Sequence, residues 1–313
     1  MGTLRKIVRS VKAFSRELTR EQQQPAFTRP KIGLALGGGF ARGVSHVGIL
    51  KVLEAHNVPI DFIAGTSVGA LIGAAYCSGV DAKELEEIAH IVRFRTFARW
   101  SLSRFGLASS DRMNGFLNTI LKVKTFEELR IPLAVSATDF ITGEGVLFRS
   151  GPLIDPVRAS CAYPGMFPPV QIDGRLLVDG LLTHSVPVAP LREMGADRVI
   201  AIYLSAHWVN KSPKHILDVI GQCFSIAQDR MCQVWKPMAD LVVEPNVDGF
   251  TYDGFERAGD LIRAGEVAAE QVIDQIVKWV EAPVAQSAAS PVPSKPAPGG
   301  ALPPPALAKG PIS

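Results

Sequence analysis

The sequence predicts an α/β domain, and three observations carry that prediction. Short apolar runs alternate with helical patterns along most of the 313 residues, of which 47% are hydrophobic. Lys31–Leu36 reads as a buried strand that runs straight into Gly37-Gly38-Gly39 and then into a helix over Val44–Asn57, with Val47, Leu50, Val52 and Leu53 on its apolar side. Ile60–Ala64 reads as a second strand. It ends in Gly65-Thr66-Ser67-Val68-Gly69, followed by ten small or apolar residues of the kind a helix packed closely on a sheet requires.

Gly65 to Gly69 has the form G-x-S-x-G in the strand-to-helix setting of a nucleophile elbow. Gly65 and Gly69 let the chain bend sharply and let strand and helix approach, so that the Ser67 hydroxyl is held out at a helix N-terminus. One strand earlier, Gly37, Gly38 and Gly39 leave backbone N–H groups uncovered by side chains, and Arg42 follows in the first turn of the next helix. His46, nearby in that helix, reads as a packed or surface residue rather than a base.

Asp81 with Glu84 forms a capping box for a helix over Ala82–Val92. The stretch 93–105 interleaves Arg93, Arg95, Arg99 and Arg104 with Phe94, Phe97, Trp100 and Phe105. That composition suits either a membrane interface or a cap whose rings bury into the domain. Asp111 is placed to cap a helix running to Leu121. Leu133–Thr138 reads as a strand, Val146–Phe148 as its hairpin partner, Leu153–Ala162 as a helix and Tyr163–Pro169 as a rigid loop with three prolines. A hairpin about Asp173-Gly174 leads into Arg175–Val178, which delivers Asp179-Gly180 at a strand end, where open α/β sheets place functional groups. Val199–Leu204 and Leu241–Val243 add strands, and Ile216–Val234 and Phe255–Val280 read as long amphipathic helices.

The charge is uneven. The chain is +3 overall, residues 1–31 are +6 and the remainder is −3, so the folded body lacks the basic face that nucleic-acid binding needs. Within residues 1–20, Leu4, Ile7, Val8, Val11, Phe14 and Leu18 recur at helical spacing among Lys and Arg. This describes a basic amphipathic helix that lies on an anionic membrane or packs on its own domain. No apolar run reaches the length of a membrane span, and positions 1–20 lack the uninterrupted apolar core of a signal peptide. The expected location is cytoplasmic, or peripheral at the inner face of the membrane, with residues 1–20 and 93–105 as candidate contacts. Cys77, Cys161, Cys223 and Cys232 show no C-x-x-C spacing and read as buried free thiols. The six histidines are scattered, so neither a metal nor a cofactor is expected. The expected organisation is a basic segment over 1–28, the folded domain over 29–282 and a disordered Pro/Ala-rich tail over 283–313.

Five matches in order then resemble the bacterial patatin-like phospholipases: Gly37-Gly38-Gly39 to Arg42-Gly43, Gly65 to Gly69, Ala137-Thr138-Asp139 with Thr142-Gly143, Pro164-Gly165 with Phe167-Pro168-Pro169, and Asp179-Gly180. The resemblance implies a three-layer α/β/α fold with a central, mostly parallel sheet, lipid or phospholipid substrates and a Ser-Asp dyad, here Ser67 and Asp179. Gly37, Gly38 and Gly39 would form the oxyanion hole, with Arg42, Gly65, Gly69 and Gly180 in support. Two positions depart from the family pattern: Leu181 stands where Gly or Ala is usual, and Phe40 where a fourth glycine is frequent. Three alternatives remain open at this point. His184 could complete a Ser-Asp-His triad, the enzyme could be a thioesterase or short-chain carboxylesterase, or the chain could be a catalytically slow regulatory or adaptor protein of the same fold.

Overall fold

The computed structural model describes residues 29–103, 106–205, 216–251 and 254–281. Its contacts group the chain into a compact unit, Arg29–Val284, and a second unit of Met1–Thr28 with Ala285–Ser313. That second unit, and with it the expected amphipathic segment and tail, lies outside the described residues.

In chain order the strands are β1 (Ile32–Leu36), β2 (Phe62–Thr66), β3 (Arg99–Ser103), β4 (Gly106–Ser109), β5 (Leu133–Asp139), β6 (Gly145–Phe148), β7 (Val170–Ile172), β8 (Arg175–Asp179), β9 (Arg198–Ile202) and β10 (Leu241–Val243). The helices are α1 (Ser45–Ala55), α2 (Val68–Cys77), α3 (Ala82–Ile91), α4 (Phe94–Phe97), α5 (Asp111–Ile120), α6 (Ile154–Ser160), α7 (Val188–Glu193), α8 (Ile216–Trp235), α9 (Ala258–Glu270) and α10 (Ile273–Glu281). The central sheet runs β10-β9-β1-β2-β5-β8-β7, parallel from β10 to β5, with β8, β7 and β6 antiparallel. β1 and β5 are buried along their whole length, and β2 and β9 at all but their first residue. A parallel sheet covered by helices on both faces needs that pattern, and it explains the continuous apolar runs in the sequence. The mostly parallel α/β architecture expected from the sequence is therefore present.

The capping box forms as expected, with the Glu84 N–H donating to Asp81 and the Asp81 N–H to the Glu84 carboxylate. Ser110, not Asp111, occupies the cap of α5. The long C-terminal helix is broken: a 3₁₀ turn at Phe255–Arg257 precedes α9, and α10 begins anew at Ile273. Gly48 and Gly265 let α9 press on α1 so closely that a Cβ on Gly48 would meet the Glu266 amide nitrogen at 2.7 Å. All four cysteines are free, but Cys223 is exposed on α8 rather than buried.

One feature of the topology positions the site. β6 holds one edge of β5 along Val135–Thr138, so β2 and β8 must share the other. β2 pairs as far as Thr66 opposite Ser136, and β8 takes over at the next residue, Asp179 opposite Ala137. The two strands approach head-on. Ser67 and Asp179 leave adjoining positions on one edge of β5.

Candidate active site

Ser67 has φ 56° and ψ −124°, a left-handed conformation that costs a non-glycine residue about 1–3 kcal/mol and persists only where its surroundings impose it. Close packing at two glycines and two hydrogen bonds impose it here. A Cβ on Gly65 would lie 2.5 Å from the Ala70 Cα, and one on Gly69 would run into the Leu36 carbonyl, so both glycines of the motif are needed for close packing. The Ser67 N–H donates to Ser160 Oγ at 2.8 Å, and the Ser67 carbonyl accepts from Leu71 at 3.1 Å. Ser160, in α6, carries no sequence signal for this role. Replacing Ser160 with Ala leaves a buried N–H unsatisfied, at a cost of about 1–3 kcal/mol. A lower melting temperature and roughly tenfold slower turnover are expected, the latter from misplacement of the elbow. An unchanged melt would show that the serine does not hold it.

Asp179 is fully buried. Its N–H donates to the Ala162 carbonyl, its carbonyl accepts from Thr138 Oγ1 at 3.0 Å, and its Oδ1 accepts from the Leu181 N–H at 3.0 Å. Oδ2 is buried with no hydrogen-bond partner of good geometry, and the Ser67 hydroxyl and the Cys161 thiol both interact with the carboxylate. Burial dominates and raises its pKa to about 7, against the opposing pull of the Leu181 amide and the Ser67 hydroxyl. Gly180 lies directly on Ser136, whose hydroxyl bonds Thr66 Oγ1 at 2.6 Å.

The glycine loop is pinned from several sides. The Gly37 N–H donates to the Ile202 carbonyl at 3.1 Å and the Gly38 N–H to the Ser185 carbonyl at 3.2 Å. The expectation of three open amides is thereby narrowed, since the Gly39 amide is the one of the three without an acceptor among the described residues. A Cβ on Gly38 would lie 3.2 Å from Ser67 Cβ, which puts the loop beside the elbow. His46 is buried, and its Nε2 bonds the Gly37 carbonyl at 2.9 Å. A carbonyl only accepts, so Nε2 carries the proton, and burial lowers the pKa to about 4. His46 thus orients the loop. The buried Arg42 directs Nε at the Gly39 carbonyl, 3.4 Å away, and burial lowers its pKa to about 10.

Among the described residues the His184 ring makes no hydrogen bond to Ser67 or Asp179. It bonds Thr183 Oγ1 at 3.2 Å and packs on Gly145 of β6, which removes the support for a triad. Of the two departures from the family pattern, Leu181 packs on Gly38 of the loop, and the Phe40 ring meets the Tyr163 ring edge-on at 4.8 Å.

A half-enclosed cavity of about 810 Å³, counted to its open mouth, has Ser67 in its wall. No charged residue lines it; Val92, Phe97, Met113 and Phe116 from α3–α5 supply much of the remainder. These side chains look like ordinary core in the sequence, because an apolar helix face has the same spacing whether it meets another helix or a void. A second cavity, of about 470 Å³, lies where Gly39, Arg42, Tyr163 and Leu181 meet α8, and Phe40 borders both. Among the described residues no group of three His, Cys, Asp or Glu is placed to hold a metal ion, and no helix is long and apolar enough to cross a membrane.

An α/β sheet with a strained serine between a glycine loop and a buried aspartate defines a class of fold and site. The chain belongs to the patatin-like phospholipase family, whose model matches residues 34–192. It is 37% identical over 182 residues to an uncharacterized NTE family protein of Mycobacterium tuberculosis, covering 56% of this chain and 49% of that one. It is 33% identical over 178 residues to lysophospholipase NTE1 of Cryptococcus neoformans, covering 55% of this chain and 11% of that one. The chain thus spans about half the length of the mycobacterial relative. In fold it is similar to the crystal structure of VipD from Legionella pneumophila, with a TM-score of 0.58 at 14% identity, over 79% of this chain and 67% of that one.

Proposed function

We propose that the chain is a serine hydrolase of lipid acyl esters, of phospholipase A or lysophospholipase type, with Ser67 as nucleophile and Asp179 as base. The observation that carries the reading is the uncharged cavity whose wall includes Ser67: it offers an acyl chain an apolar environment at the reacting group. The name of the Cryptococcus relative, a lysophospholipase, agrees with it.

The chemistry follows from the groups present. Ser67 Oγ attacks the ester carbonyl carbon, and its proton passes to Asp179 Oδ2. An ordinary carboxylate is too weak a base for this, but one that burial has brought to about 7 is matched to neutral pH. The oxyanion is met by the Gly39 amide and by the N-terminal end of α2, each such donor being worth about 3–4 kcal/mol in the transition state. His46 and Arg42 hold the carbonyls of this loop, so its amides need not reorient as charge develops. As the ester C–O bond breaks, Asp179 returns the proton to the departing alcohol. Water then attacks the acyl-enzyme, giving its proton to Asp179; the bond from Ser67 Oγ to the acyl carbon breaks, Asp179 returns the proton to Oγ, and the free acid leaves. No step calls on His184.

The test is a series of soluble and micellar esters of rising acyl length, with fluorophosphonate labelling, on the wild type and on Ser67→Ala. Each methylene buried in the cavity is worth up to about 0.8 kcal/mol, so kcat/KM is expected to rise by at most about fourfold per methylene until the cavity is filled. Ser67→Ala is expected to lose both label and turnover. A wild type that neither labels nor hydrolyses any chain length would overturn the reading.

A further inference from the structure

Between α3 and α5 lies a surface that the chemistry at Ser67 does not use. Ile91 is 77% exposed and Trp100 61%, well beyond what a large apolar side chain gains from standing in water. Trp100 does not stand alone. Its ring centroid is 5.0 Å from that of Phe94, which lies 5.7 Å from Phe97 and 6.3 Å from Phe167. Phe97 and Phe167 both line the cavity that contains Ser67, so a continuous run of rings leads from solvent to the cavity wall.

Basic groups frame this run. Arg95, Arg99 and Arg112 are exposed, and Arg112 donates to the Arg95 carbonyl at 2.8 Å, which ties the α4 and α5 sides together. None of the three forms an ion pair among the described residues. In the sequence, residues 91–120 contain five arginines and a single acid, Asp111, whereas residues 32–313 as a whole are net −3. A positively charged stretch on a negative body, bearing an exposed indole, matches the interfacial layer of an anionic bilayer, where rings sit at headgroup depth and guanidinium groups reach phosphate.

We propose that the surface formed by Ile91, Arg95, Arg99, Trp100 and Arg112 docks on an anionic phospholipid membrane, with Ile91 and Trp100 entering the interface, and that acyl chains pass along the Phe94–Phe97 rings into the cavity. The proposal rests on the lipid-ester reading of Ser67 for its second half only. Sequence composition favoured a buried cap for most of the rings and left a membrane interface open; here Phe97 is buried while Trp100, Arg95, Arg99 and Arg112 are exposed.

The experiment measures full-length protein binding to, and hydrolysis of, vesicles of phosphatidylcholine alone and of phosphatidylcholine with an equal part of phosphatidylglycerol, with a soluble short-chain ester in parallel. Arg95→Gln with Arg99→Gln is expected to weaken partitioning onto the anionic vesicles about 30-fold, roughly fivefold per guanidinium, and to leave the zwitterionic vesicles unaffected. Ile91→Ser with Trp100→Ser is expected to lower binding and hydrolysis on both by on the order of tenfold while soluble-ester turnover holds. Wild-type vesicle binding in both double variants overturns the proposal. So does a parallel loss of soluble-ester turnover, because the residues would then be acting on the site itself. A wild type that binds vesicles through this patch but hydrolyses no ester sinks the catalytic reading and leaves the docking surface standing.

Discussion

Asp179→Asn is expected to abolish turnover and, at the same time, to raise the melting temperature above neutral pH. The carboxyl pKa is about 7 in the folded protein against 3.8 when unperturbed. Between those values the folded state keeps a proton that the unfolded chain has released, so folding takes up a proton and lower pH favours the native state. This contribution is fully present below pH 3.8 and is lost as pH rises through 7. At pH 8 the group is ionised in both states and the native state bears its desolvation, on the order of 4 kcal/mol. Asn is nearly isosteric, keeps an oxygen for the Leu181 amide and carries no charge. The stabilisation should therefore be largest at pH 8 and fade toward pH 4, while loss of the base removes about 10²–10⁴-fold in rate. His46 acts in the opposite direction. Its pKa is lowered from 6.5 to about 4, so its contribution to stability is lost as pH falls through that range. Wild type and variant are therefore best compared at one pH by calorimetry, where the His46 effect cancels. A variant less stable than wild type at pH 8 would show that Asp179 is held as a satisfied ion. For the wild type, hydrolysis is expected to fall on the acid side with a midpoint near 7.

The sheet was legible in the sequence because parallel strands buried on both faces must be continuous apolar runs, and β1, β2 and β5 are. The elbow was legible because a serine at φ 56° needs small neighbours at fixed offsets, which Gly65 and Gly69 announce. Asp179 could be picked out as a carboxylate at a strand end, but its meeting with Ser67 depends on β8 replacing β2 along β5, a long-range pairing that no local pattern encodes. Use of the loop amides was hidden for the same reason. The acceptors of Gly37 and Gly38 are carbonyls of Ile202 and Ser185, far along the chain, and only the folded backbone assigns them. Ser160 and His46 illustrate a third kind of gap. Both serve the site through a single hydrogen bond to its backbone, and a buried serine or histidine in a helix has the same sequence appearance whether or not it does so.

Gly69→Ala is expected to do more damage than adding one methyl group suggests. Gly69 is the second residue of α2, pressed against the end of β1. A Cβ there would collide with the Leu36 carbonyl and lie 2.8 Å from that of Gly37. Both obstacles are backbone, so no side chain can rotate aside; the helix must lift, or the strand end and glycine loop must retreat. Overpacking of this kind costs about 1–3 kcal/mol or more, a fall of several degrees in melting temperature for a domain of this size. The kinetic effect is larger, because the helix carries Ser67 and the strand end leads into the loop that carries Gly39. Any relief of the clash separates the nucleophile from the Gly39 amide, and a displacement of about 1 Å is worth roughly 100-fold in rate. Gly115→Ala supplies the contrast. That glycine lies exposed within α5 with nothing within 4 Å of an added Cβ, so the same chemical change there should stabilise by about 1 kcal/mol, through helix propensity, and leave turnover untouched. Melting curves and ester hydrolysis on the two variants decide the matter. If Gly69→Ala behaves like Gly115→Ala, strand and helix have room to spare at the elbow, and the strain at Ser67 must be held by Ser160 and the Leu71 amide instead.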